Sequence, residues 1–280
     1  MNFLPGARLL ALTRYDTDTM VVNPSAEPAR PFLAHLERGR EQSLRSHLLG
    51  VSGAARKHAE KIGIGPAGAA IGLLHDLGKY SRAFQEYLAR ITASEDTEQR
   101  DPERGKIDHS TAGAQTIWRE LKSQGIQQGI VGEMLAICVA SHHSGLIDCI
   151  APDGTDKLSR RINKADPQSH HDEAWANAES EIAERNRENL HDAALVSGFR
   201  DIITRICRID SNRTIQRFNV GLLVRFLFSC LIDGDRTDTV DFSNPAAARC
   251  RTTKRNIFTN GSHRRRQDPR KPTVRPESRR

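Results

Sequence analysis

Apolar residues recur at helical spacing along most of this chain, and that period limits the folds open to it. Leu44, Leu48, Val51 and Ala55 fall at i, i+4, i+7 and i+11, one face of a helix beginning near Ser43. A second helix is predicted from about Ala67 to Leu77, ended by Gly78 as a left-handed C-terminal cap. A third runs from Ser81, a plausible N-cap, to Ile91, with Phe84, Tyr87, Leu88 and Ile91 on one side. Further helices fit roughly 109–123, 126–141, 172–207 and 214–233. Between them, 92–107 (with Pro102 and Gly105) and 151–171 (with Pro152, Gly154 and Pro167) read as long loops. Alternation of period two is scarce, so the body is predicted to be all-α.

Charge divides the chain. Residues 249–280 hold twelve Lys/Arg against Asp268 and Glu277, a local charge of +10, whereas the rest carries 30 basic and 33 acidic side chains, or −3. Residues 243–280 have almost no core-forming residues and read as a disordered basic tail or as the product of a truncation or frameshift. Electrostatic attraction to nucleic acid is therefore expected of the tail more than of the body. Residues 1–30, with Pro5, Pro24 and Pro28 and no sustained period, read as an N-terminal extension, leaving 31–242 as the domain. The opening MNFLPGARLLAL lacks a basic leader and a small-residue cleavage site, so it is not read as a signal peptide. No run of eighteen consecutive apolar residues exists, and no membrane partner is expected. The five cysteines form no C-x-x-C pair, which fits free thiols in a reducing cytoplasm.

Five sites stand out on or at the ends of apolar helical segments: His47 in LRSHLLGV, His75-Asp76 in LLHDLGKYS, His109 in IDHSTAGA, His142-His143 in ASHHSGL, and Asp235 in LIDGDRTDT. Burying such groups is costly unless they are paired or bound to metal, and several on facing helices suggest a shared ion. Imidazole and carboxylate suit divalent Fe, Mn, Ni, Co or Zn. A carboxylate can bridge two ions, which a neutral imidazole cannot, so an adjacent His-Asp pair can serve two metals through Asp76. Lys79, three residues further on, could meet a substrate phosphate as a point charge. Taken singly, each piece is weak. His170-His171 is also a doublet but lies in a polar stretch and on that exposure is not expected to be a ligand, nor are His35, His58, His191 and His263.

The order H…HD…H…HH…D, with HDLGK, DHS-x-x-GA and SHHSGL as local contexts, resembles the HD nuclease domain of the CRISPR type I effector nuclease-helicase, over roughly residues 31–242. AHLERG at 34–39 looks like a worn form of that family's opening segment. The resemblance implies an all-α HD-domain helical bundle with a metal site between helices, holding one or two divalent ions (Fe, Mn, Ni, Co or Mg). It implies His47, His75, Asp76 and Asp235 around one ion and Asp76, His109, His142 and His143 around the other, with Asp76 bridging and Lys79 assisting at the phosphate. It further implies cleavage of single-stranded DNA exposed by an RNA-guided CRISPR surveillance complex, as antiviral defence.

Two departures qualify the resemblance. The family's D-A-D-R-x-D-T-E is replaced by Asp233-Gly234-Asp235-Arg236-Thr237-Asp238-Thr239-Val240. Gly234 is expected to weaken the helix there, and Asp233 rivals Asp235, which is favoured because it directly precedes Arg236. No G-x-x-x-x-G-K-[ST] phosphate loop is present, so the chain reads as a standalone or truncated nuclease with its helicase supplied in trans. Two other functions stay open: an HD phosphohydrolase of nucleotides or cyclic nucleotides, and an inactive remnant that merely binds nucleic acid.

Overall fold

The helix that organises the domain is the one with the least varied side chains. Residues Gly65–Leu74, GPAGAAIGLL, are buried on every side, as suits a helix without a polar stripe. This helix, α2, packs against α1 (Leu44–Ala59), and α1 in turn packs against the 31-residue α11 (Arg213–Ser243). A second antiparallel pair, α4 (Thr111–Ser123) and α5 (Ile126–Ser141), also contacts α2. The remaining helices are α3 (Arg82–Ala93), α6 (Lys157–Ile162), α7 (Asp166–Ser169), α8 (His171–Asn177), α9 (Ser180–Leu190) and α10 (Ala193–Ile209). This computed structural model describes residues 31–37, 39–93, 107–246 and 248. The predicted N-terminal extension, most of the 92–107 loop and nearly all of the basic tail lie outside the described residues.

Close backbone approach explains the small residues. A Cβ on Gly72 would stand 2.7 Å from Ser52 Cα of α1, and one on Gly113 would stand 1.8 Å from the carbonyl oxygen of Leu74. The three helices therefore meet backbone to backbone, with Leu48, Val51, Leu73, Leu74, Ile117 and Leu135 filling the core around them.

Several local expectations are corrected by tertiary contacts. A short antiparallel hairpin, β1 (Leu33–Glu37) and β2 (Arg40–Ser43), precedes α1, in a stretch where no strand was foreseen. Gly78 is not a left-handed cap: it sits in a 3-10 turn, Leu77–Tyr80, and donates its N–H to the His109 carbonyl at 3.0 Å. A side chain there would strike the His109 backbone at 2.6 Å, so Gly78 is needed for contact and not for a positive φ. The 151–171 stretch contains α6 and α7 and is not one long loop. The helical stretch near 172–207 is three helices, broken where Glu179 and Asp192 take extended backbone. Asp192 caps α10 by accepting from the Ala194 N–H.

Gly234 does not interrupt α11. It lies against α1, where a Cβ would stand 3.3 Å from the Val51 carbonyl oxygen, so the close helix crossing offsets its poor helix propensity. By length and composition alone α11 could cross a membrane, which a count of uninterrupted apolar residues did not register. In this fold it carries acidic side chains toward α1, while Phe218 and Leu222 face outward.

Two glycine substitutions separate these roles. Gly72→Ala is expected to cost about 1–3 kcal/mol through overpacking. Gly53→Ala, at an exposed α1 position with nothing within 4 Å of its Cβ, is expected to gain about 0.5–1 kcal/mol. Urea denaturation of both variants checks the pair, and equal signs would contradict the packing.

Candidate metal centre

Three helix ends and two helix faces converge on one buried carboxylate. Helix α2 ends at His75, so Asp76 emerges from the core with 1 % of its surface exposed. His142 caps the C-terminus of α5, His109 just precedes α4, His47 lies within α1, and Asp235 within α11.

The oxygens of Asp76 face different partners. Oδ2 lies 3.4 Å from His47 Nε2, 3.2 Å from His75 Nε2 and 2.7 Å from Lys79 Nζ. Oδ1 lies 3.1 Å from His142 Nε2, 3.6 Å from His109 Nε2 and 3.7 Å from His143 Nε2. Asp235 closes the first group, its Oδ1 standing 3.5 Å from His47 Nε2 and 3.7 Å from His75 Nε2. The seven predicted ligands thus fall into two groups able to hold a metal, His47/His75/Asp235 and Asp76/His109/His142/His143. Asp233 turns away: it is 63 % exposed and pairs with His58 at 2.9 Å.

The ring tautomers favour a cation at the centre. His75 Nδ1 donates to the Gly72 carbonyl (2.9 Å), His142 Nδ1 to Val139 (2.8 Å) and His109 Nδ1 to Ile107 (2.9 Å). A carbonyl only accepts, so these Nδ1 atoms carry protons and the Nε2 atoms are the ones turned inward. His47 follows the same plan with a carboxylate: Nδ1 meets Asp238 Oδ2 at 2.7 Å. His47 Nε2 and His75 Nε2 stand 3.3 Å apart, a distance that suits a proton on His75 Nε2 and that would also let both nitrogens face one metal ion. The donor set fits a divalent transition ion.

Electrostatics divide the rings into neutral and charged ones. Burial, reinforced by Lys79 and His143, lowers the His109 pKa to about 3, so it is a neutral donor at physiological pH. Burial likewise lowers His142. Burial alone would lower His75 too, but the Asp76 and Asp235 carboxylates outweigh it and raise its pKa. Burial would raise the pKa of Asp76; His75 and Lys79 override it and hold the group ionised. Lys79 is itself buried, its Nζ within reach of Asp76 and over the Phe84 ring.

Three residues around this centre escaped sequence reasoning. Asp238 holds His47 and accepts a second hydrogen bond from Gln42 Nε2 at 2.7 Å. Gly50 leaves it room, since a Cβ there would be 2.3 Å from Asp238 Oδ1. The signal was available: Asp238 is three residues beyond Asp235 on the same helix, hence on the same face. His35, not expected to be a ligand, is half-buried on β1 with its ring 4.9 Å from that of His47. Asp108 accepts from the Thr111 N–H at 3.1 Å and pairs with Lys164, securing the start of α4 beside His109. Away from the centre, His171 groups with Asp166 and Asp172 at the surface, where exposed acidic clusters without metal are common.

Two facing sets of imidazole and carboxylate in a helical bundle, sharing one Asp from an HD pair, define a metal-dependent hydrolase of the HD class. The family model described as "Cas3, HD domain" matches residues 37–223 of the 280, and the chain belongs to that family. It is accordingly a CRISPR-associated member of the HD superfamily of metal-dependent nucleases and phosphohydrolases. No curated protein matches the chain. The family match stops before Asp235 and Asp238, so their place at the centre rests on geometry.

Asp238→Ala is expected to weaken divalent-metal binding about 10–100-fold while leaving the fold intact, because the freed His47 ring loses its orientation. Competition with a chelating dye measures this. Asp108 gives a pH signature: burial would raise its pKa, but hydrogen bonding to Lys164 and Thr111 lowers it from 3.8 to about 2. A depressed carboxylate stabilises the fold above its unfolded pKa and loses that contribution as pH falls from about 4 through about 2. Asp108→Asn should therefore cost up to about 2 kcal/mol at neutral pH and converge with the parent near pH 2.

Proposed function

We propose that the protein cleaves single-stranded DNA in CRISPR antiviral defence, using two divalent ions bridged by Asp76. The observation that carries this reading is the division of the Asp76 oxygens, Oδ2 toward His47 and His75 and Oδ1 toward His109, His142 and His143. Ions held there would lower the pKa of a bound water and neutralise phosphoryl oxygens during in-line attack.

The side chains divide the remaining work. His75 and His142, fully buried and tethered to backbone carbonyls, fix the inner positions. His143, 52 % exposed, stands at the rim where a phosphodiester would enter. Lys79 balances the charge of Asp76 and is the nearest cation to a phosphate brought to the centre. Duplex opening is assigned to a helicase, and delivery of the strand to an RNA-guided surveillance complex. Four described cysteines are unpaired, in keeping with a cytoplasmic setting.

Purified protein loaded in turn with Mn, Ni, Co or Mg would be given linear and circular single-stranded DNA, and separately nucleotides and cyclic nucleotides. Cleavage of DNA is expected with at least one metal, abolished by chelation and by Asp76→Ala. Nucleotide turnover without DNA cleavage would favour an HD phosphohydrolase of small nucleotides. No hydrolysis by a folded, metal-loaded protein would point to a remnant.

A further inference from the structure

On the face formed by α4, α8 and α9 lies a cleft of about 470 Å³ that contains none of the metal-centre residues. Thr116, Arg119 and Glu120 border it from α4, Trp175 from α8, and Asn186 and Arg187 from α9. At 1.5 Å per residue, its α4 residues lie about 10–20 Å along the helix from His109.

Its chemistry is that of a small site for an anion attached to a flat ring. Arg119 and Arg187 are exposed, and among the described residues neither has a carboxylate partner. The polar contact of Arg119 is a weak one, 3.4 Å to a ring nitrogen of His171. Glu120, the acidic residue in the lining, is engaged by Asn186 Nδ2 at 2.9 Å. Trp175 is half-buried and fixed by its indole N–H, which donates to Thr116 Oγ1 at 2.9 Å. Asn186 is 5 % exposed, yet its Oδ1 has no hydrogen-bond partner.

We propose that this cleft binds a nucleoside phosphate at a site separate from the metal centre. The base stacks on Trp175, and the phosphate lies between Arg119 and Arg187. Stacking of a base on an aromatic side chain contributes about 1–3 kcal/mol and tolerates any base. Guanidinium groups match phosphate oxygens in charge and geometry. The ligand is either a free nucleotide or one nucleotide of a single strand; the binding chemistry is the same, and it does not depend on hydrolysis at Asp76.

Trp118 and Trp175 are the two tryptophans of the chain, so Trp118→Phe leaves Trp175 as a local fluorescent reporter. This variant would be titrated, with chelator present to prevent hydrolysis, with dAMP, deoxyadenosine, inorganic phosphate and a short oligodeoxyadenylate. Calorimetry on the parent protein runs in parallel, so the result does not rest on the fold of one variant. Saturable quenching by dAMP is expected, stronger than with deoxyadenosine or phosphate, and roughly tenfold weaker in Arg119→Ala or Arg187→Ala. Saturation by dAMP identifies a free-nucleotide site; saturation by the oligonucleotide alone identifies a strand contact. No binding of either, or binding unchanged in both arginine variants, would overturn the proposal.

Discussion

The structure depends on how one carboxylate survives burial. Asp76 is almost wholly removed from water, and a lone ionised group in that position would cost several kcal/mol. It stays charged because Lys79 stands 2.7 Å from its Oδ2 and His75, whose pKa is raised, stands 3.2 Å from the same oxygen. The rest of the domain holds those partners in place. Glycines let α1, α2 and α4 touch at their backbones, which brings His47 and His75 into one ligand group and His109 into the other, both beside Asp76. A looser packing, with ordinary side chains at Gly72 or Gly113, would separate them.

The ends of helices matter more to the centre than their faces. At the C-termini of α2 and α5 the terminal carbonyls lack their regular i+4 partner, and His75 and His142 use that by donating Nδ1–H to Gly72 and Val139 three residues back. Each ring is oriented by its own helix. His47, inside α1, has no free carbonyl nearby, and Asp238 takes over that task from α11. This explains why α11 must run unbroken through Gly234: the same helix delivers Asp235 to the centre and Asp238 behind it.

The all-α class and the seven candidate ligands were legible because both depend on local periodicity: a buried polar residue on an apolar helix is visible without a structure. What was not legible depended on distant contacts. Gly78 obeys no local rule at its position; its role is set by the His109 backbone. His35 lies on a hairpin too short to show alternation, and only the fold brings its ring to His47. The three helices between His171 and Ile209 read as one because the breaks at Glu179 and Asp192 are polar residues in an already polar stretch. Asp238 could have been found by extending the helical face one turn past Asp235, but the space for it depends on Gly50 of another helix.

The bridging role of Asp76 is tested most directly by anomalous diffraction from crystals grown with Mn(II). Two ions about 3.5–4 Å apart are expected, one coordinated by each Asp76 oxygen. Occupancy by a single ion that leaves one Asp76 oxygen bound solely to protein donors, or an ion bound away from Asp76, would contradict it.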